Sequence, residues 1–199
     1  MTVASAPCPQ LLSDEQLLER YENGNRHILG ELLQRHRMAA YRVAYRLLGN
    51  EADALDAVQD GFVKALSHLD SFQGRSSFKT WLFRVVSNAA LDLGRSRSRR
   101  ESYSLDVPHD DENDQRHPVL TADPAVGLYR ADLRVLLTEA LIQLPEAQRR
   151  TFVLHADGGL SYREVADVLE ISIGTVMSRL FYARQKLRSW LAARLPDGT

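Results

Sequence analysis

Apolar residues recur at spacings of three and four along nearly the whole chain, which predicts helices; there is no alternating segment long enough for a strand. Ser13-Asp14-Glu15-Gln16 has the form of a capping box and opens a short helix to about Asn23. A second helix follows from about Arg26 to Leu48, with Ile28, Leu32, Leu33, Val43, Ala44, Leu47 and Leu48 on its apolar side and Gly49 as its left-handed stop. After Asn50, Leu55, Val58, Phe62, Leu66 and Leu69 make the expected core stripe of a third helix. Asp70 to Ser76 reads as a loop, and Ser77 can cap a fourth helix from Phe78 to about Arg97, with Phe78, Leu82, Val85 and Ala89 facing the core.

The period fades over residues 101–127, which hold three Pro and seven acids against one Arg. A flexible acidic linker is expected there. Helices resume at about Leu128–Gln143, and Pro145 suits the first position of the next helix, which ends before Gly158-Gly159. Ser161-Tyr162-Arg163-Glu164 is a second capping box, opening a helix to about Leu169, and a last helix runs from about Ile173 to Leu195. The expected architecture is all-α: two small helical domains, residues 12–100 and 128–195, joined by the linker. Residues 1–11 are expected to be disordered and 196–199 to form a tail.

Composition narrows the class. The 199 residues are 44% hydrophobic and 26% charged, as in an ordinary soluble protein. No apolar run approaches the length of a membrane span, and the first residues lack the pattern of an export signal. The single cysteine, Cys8, excludes an internal disulfide and a cysteine-based zinc site. Cytoplasmic residence is the expectation. The six histidines are scattered; neither a metal site nor a cofactor is expected, and no catalytic set is visible.

The net charge of −1 hides a partition. Residues 11–100 carry 14 Lys/Arg against 11 Asp/Glu, and residues 128–195 carry ten against seven. Within the latter, residues 171–195 have five basic residues and no acid. Two basic modules on a tether suit a polyanion; two solvated helical surfaces would look the same.

The last two helices fit a helix-turn-helix, with Val165, Ala166 and Val176 at the crossing. Val176, Leu180, Ala183, Leu187 and Leu191 form its core stripe. The opposite face presents Ser178, Phe181, Tyr182 and Gln185, flanked by Met177, Arg179 and Arg184, to a major groove. An ordinary helical hairpin is the alternative. Glu170 stands where many such turns place Gly, so the turn is expected to be shifted or to avoid a left-handed residue there. In the fourth helix Trp81, Arg84 and Asn88 share one face within about 60°. An aromatic ring, a cation and an amide suit single-stranded nucleic acid, although a tryptophan at such a position also serves as core.

Two long motifs then carry a resemblance. LLGNEADALDAVQDGFVKALSHLDSFQGRSSFKTWLFRVVSNAALD resembles region 2 of the extracytoplasmic-function sigma factors of bacterial RNA polymerase, in the sigma-70 family. LIQLPEAQRRTFVLHADGGLSYREVADVLEISIGTVMSRLFYARQKLR resembles their region 4. The likeness covers about residues 12–195 and implies a promoter-selecting initiation factor without catalytic chemistry. Its implied partners are core RNA polymerase, promoter DNA and an anti-sigma factor, with no membrane insertion. By resemblance, Asp56, Gln59 and Asp60 dock on core polymerase, although acids near a helix N-terminus are also favoured by its dipole. Lys64, Phe72, Lys79, Trp81, Arg84 and Asn88 match positions serving −10 recognition and melting. Thr175, Met177, Ser178, Arg179, Phe181, Tyr182 and Arg184 lie in the −35 reader. Met177 and Tyr182 stand where several members carry Arg, so the −35 preference does not transfer. A sigma-like decoy or a helix-turn-helix regulator is the alternative.

Overall fold

The computed structural model describes residues 12–69, 72–103, 133 and 135–194. Among these the fold is all-α. The helices are α1 (Asp14–Glu22), α2 (Ile28–Leu48), α3 (Glu51–Ser67), α4 (Phe78–Tyr103), α5 (helical residues 135–142), α6 (Glu146–Ala156), α7 (Tyr162–Leu169) and α8 (Ile173–Ala192). Residues 1–38 and 39–199 separate as two compact units. The expected acidic linker falls almost wholly outside the described residues.

Local chemistry sets the helix ends. Ser13 caps α1 through the amide of Gln16, whose side chain returns the bond to the Ser13 amide. In the same unit, Asp14 takes hydrogen bonds from Arg35 at 2.8 Å and from His36 Nε2 at 2.6 Å. Gly49 ends α2 with φ +83, a conformation that favours glycine. The Asn50 side chain caps α3 through the Asp53 amide. Ser77 caps α4 through the Thr80 amide. Pro145 lies one residue earlier than expected, as the N-cap of α6 rather than its first helical residue.

The α3 stripe differs from the periodic expectation. Its buried positions are Ala54, Ala57, Val58, Gly61 and Ala65, while Leu55 and Leu66 are 48% and 46% exposed. The reason is close packing on α4. A Cβ added at Gly61 would lie 3.0 Å from the Val86 Cα, so only small residues fit between the two backbones. Leu55, Val63 and Leu66 are turned outward, while Val58 stays buried as expected and Phe62 is half-buried.

The fourth helix also differs. It runs to Tyr103 rather than stopping near Arg97. Phe78, Leu82 and Ala89 are buried as expected and Val85 only half so, but Thr80, Phe83, Val86, Ser87 and Ala90 are buried too. The helix is covered on two sides: α3 packs on one and α7 on another.

Two glycine substitutions separate packing from propensity. Gly61→Val forces α3 and α4 apart and lowers stability by about 1–3 kcal/mol. Gly30→Ala, in open space on α2, raises it by roughly 0.5 kcal/mol through helix propensity. Urea unfolding with unchanged m values checks both; equal effects at the two sites would contradict the packing account.

Candidate nucleic-acid interface

The C-terminal helices form a helix-turn-helix. Ser161 and Glu164 exchange both capping-box bonds at the start of α7. Glu170 ends that helix with φ 55 and ψ 44, in the left-handed region itself. The expectation of a shifted turn is therefore corrected: the turn keeps its usual geometry and tolerates a non-glycine residue there, at a cost of about 1 kcal/mol. Ser172 then caps α8 through the Thr175 amide.

Val176, Leu180, Ala183 and Leu187 are buried, and Leu191 is half-buried. On the other side Met177, Phe181 and Tyr182 are 56%, 63% and 53% exposed, which makes an apolar surface on a helix that is otherwise basic. The Phe181 and Tyr182 rings meet edge to face at 5.4 Å. Ser178 and Arg184 are exposed alongside, Arg179 and Thr175 half-buried. Arg184 donates to the Tyr162 hydroxyl at 3.4 Å.

In the N-terminal helices, Phe72, Phe78 and Trp81 form one aromatic cluster. Phe72 lies 5.4 Å from Trp81 and 6.1 Å from Phe78, and Phe78 lies 5.7 Å from Trp81. Phe78 is core, while Phe72 and Trp81 are half-buried at its edge. Lys79, Arg84 and Asn88 continue along α4, and each contacts a C-terminal helix or turn. Lys79 donates to the Gly159 carbonyl at 3.1 Å. Arg84 donates to the Asp167 carbonyl and stands 3.6 Å from the Glu170 carboxylate. Asn88 accepts from Arg150. Asp56, Gln59 and Asp60 lie exposed on α3, away from this seam, and Lys64 pairs with Asp60 at 2.7 Å.

Comparison with known proteins decides the family. The profile of sigma-70 region 2 matches residues 32–100 and that of sigma-70 region 4 matches residues 134–187. The chain is 32% identical to the RNA polymerase sigma-H factor of Pseudomonas aeruginosa, over 87% of this chain and 91% of that one. The chain belongs to the extracytoplasmic-function sigma factors. It is also 36% identical to the ECF RNA polymerase sigma factor SigE of Mycolicibacterium smegmatis, over 81% of this chain but 61% of that longer protein. Among solved structures, CnrH in complex with the cytosolic domain of CnrY aligns with a TM-score of 0.67 and 30% identity, covering 92% of this chain and 99% of that one. The sigma factor RpoE in complex with the anti-sigma factor NepR from Bartonella quintana aligns at 0.62 and 27%, covering 81% and 97%.

As a sigma factor the chain directs transcription initiation with RNA polymerase. Among the described residues no helix is long and apolar enough to cross a membrane, and no cluster of metal-ligating side chains occurs.

The periodicity missed two groups of residues. The period places Leu55 and Leu66 in the core, but they are exposed beside Asp56, Gln59 and Asp60. Thr80 and Arg150 carry no signal in the sequence, Glu164 shows only as a capping residue and Glu170 only as a departure from the helix-turn-helix pattern, because their longer-range contacts cross between the two sigma regions. Glu164 is the hub. It accepts from its own capping partner Ser161 and, at 2.8 Å, from the Thr80 hydroxyl.

Burial pushes the Glu164 carboxyl up, but hydrogen bonds from Ser161 and Thr80, with the Lys79 charge, outweigh it and hold the carboxyl below its ordinary range. A depressed acid stabilises the fold fully above its unfolded value and loses that contribution as pH falls. Glu164→Gln therefore costs stability at pH 7, and the difference from wild type shrinks as pH drops below about 4.5. Urea midpoints across pH 3–7 measure it; a penalty that is constant with pH would assign the loss to shape rather than charge.

Proposed function

We propose that residues 12–100 act as sigma region 2, reading and melting the −10 element while docked on core polymerase, and that residues 128–195 act as region 4, reading the −35 element, with residues 101–127 as the tether. The observation that carries this reading is the pair of exposed faces in the two matched regions: Leu55, Asp56, Gln59, Asp60, Val63 and Leu66 on α3, and Met177, Ser178, Phe181, Tyr182 and Arg184 on α8.

The α3 face mixes apolar side chains with carboxylates and an amide, which suits a partner offering an apolar stripe and basic groups. The aromatic edge at Phe72 and Trp81 suits an unstacked base, Lys64, Lys79 and Arg84 suit phosphate, and Asn88 suits a base edge. On α8, Thr175, Ser178 and Arg179 suit hydrogen bonds to base edges or phosphate. Met177, Phe181 and Tyr182 suit the methyl groups of thymine. The chain supplies promoter choice and strand opening, contains no catalytic chemistry and works in the cytoplasm. An anti-sigma factor covers it when idle, a reading supported by the complex of the similar sigma factor RpoE with the anti-sigma factor NepR.

Run-off transcription with bacterial core polymerase, on a panel of single-base promoter variants, tests this reading. Asn88→Ala loses most transcript from a cognate duplex promoter and its discrimination at one −10 position, roughly 1–3 kcal/mol, while core affinity stays unchanged. Arg184→Ala weakens all −35 variants alike and lowers the salt slope. Leu66→Glu, at an exposed site, lowers core affinity at least about tenfold with no loss of stability. Wild-type discrimination by Asn88→Ala at every −10 position would remove it from the base readers.

A further inference from the structure

The surface that α8 turns away from its core is uncharged over roughly its first three turns. From Ser172 to Tyr182 no exposed residue is charged, and Arg179, the cation of this stretch, is half-buried. The exposed cations Arg184, Lys186 and Arg188 come after it. The helix is thus apolar in its leading half and basic in its trailing half. In a helix-turn-helix the leading residues of the second helix reach base edges, and cations hold the backbone.

Ile173, Met177 and Phe181 repeat every four residues and form one row. They are 46%, 56% and 63% exposed. Tyr182 braces the end of the row, its ring meeting that of Phe181 edge to face at 5.4 Å. Beside the row, Gly174 leaves the backbone bare: a Cβ built there would meet only the Ser172 hydroxyl, at 3.7 Å. The floor of a groove can therefore come close to the helix. Ser178 is the polar group next to the row. Its hydroxyl donates to the Thr175 carbonyl at 3.1 Å, which commits its proton and leaves its oxygen as an acceptor.

Each base offers this surface something different. Guanine shows two acceptors, N7 and O6, and covering them with methionine or phenylalanine leaves them unsatisfied. Thymine shows its C5 methyl group and adenine its N6 amine, so an A·T pair meets both the row and Ser178. Cytosine brings an amine without a methyl group; 5-methylcytosine brings both. Met177 and Phe181 lie about 6 Å apart along the helix axis, enough to bridge two adjacent base-pair steps of about 3.4 Å each.

We propose that α8 recognises its −35 element through methyl groups: Met177 and Phe181 pack on the C5 methyls of two adjacent thymines, Ile173 extends the row, and Ser178 accepts from an adenine N6 amine. This rests on the reading of α8 as the −35 reader and gives that reading its base content. For the row, 5-methylcytosine is equivalent to thymine, and deoxyuridine is a thymine with its contact removed. Cytosine methylation at a contacted step therefore strengthens binding. Arg184 and the cations after it hold phosphate and are indifferent to the methyl group.

The test uses the full chain assembled with core polymerase. Duplexes randomised over the −35 and −10 positions are selected on this holoenzyme. The selected promoter is then remade with deoxyuridine in place of single −35 thymines, or with cytosine or 5-methylcytosine at the same positions and guanine opposite. Competition binding reads the affinities. We expect two adjacent A·T pairs in the selected −35 element, an affinity about threefold lower for deoxyuridine at either thymine, and 5-methylcytosine bound about threefold more tightly than cytosine. Met177→Ala and Phe181→Ala, both at exposed sites, each lose the sensitivity to deoxyuridine at one thymine and keep it at the other. If −35 base changes weaken binding but deoxyuridine does not, methyl reading is overturned and the −35 assignment stands. Unchanged binding of every duplex by both alanine variants would also overturn it, and would assign the row to a protein partner. Binding indifferent to every −35 base would overturn the −35 assignment itself, and the proposal with it.

Discussion

The close approach of α3 to α4 governs the rest of the molecule. Gly61 lies so close to Val86 that an added carbon would sit 3.0 Å from its Cα, and Ala54, Ala57 and Ala65 continue the same flat face. A helix that packs through small residues must turn its large ones elsewhere. Leu55, Val63 and Leu66 therefore stand in solvent, next to the carboxylates that the family resemblance assigns to polymerase docking. Burying those leucines would require α3 to rotate, and the backbone contact at Gly61 forbids it. One packing constraint thus creates an outward apolar face that an isolated chain has no reason to keep.

The same contact leaves the opposite side of α4 uncovered by region 2. That side is mainly polar, and region 4 covers it with carboxylates, carbonyls and Arg150 rather than with a hydrophobic plug. The helix is thus held by two interfaces of different character. The α3 side is apolar and close-packed. The α7 side is largely hydrogen-bonded, and water can replace such bonds.

Much of the fold was legible in the sequence because helix ends are local chemistry. The capping boxes at Ser13 and Ser161, the stop at Gly49 and the stripe on α8 each depend on residues a few positions apart. Legibility failed where a residue's role depends on distant neighbours. Leu55 and Leu66 fit a core period as well as any buried pair, and only the Gly61–Val86 contact turns them outward. Phe83 and Ser87 lie off the expected core face of α4 because their cover comes from region 4. Glu170 was visible as a departure from the helix-turn-helix pattern. Its partner Arg84, more than eighty residues earlier, was not.

Thiol accessibility at Leu66 probes the central claim most directly. Leu66, 46% exposed on the outer face of α3, is replaced by Leu66→Cys in the Cys8→Ser background. The rate of maleimide labelling is measured on the free chain and on the chain bound to core polymerase without DNA. The account predicts fast labelling of the free chain and a rate at least about tenfold lower in the polymerase complex. Slow labelling of the free chain would mean that α3 buries its leucines, and equally fast labelling in both would mean that polymerase leaves the face uncovered; either result contradicts the account.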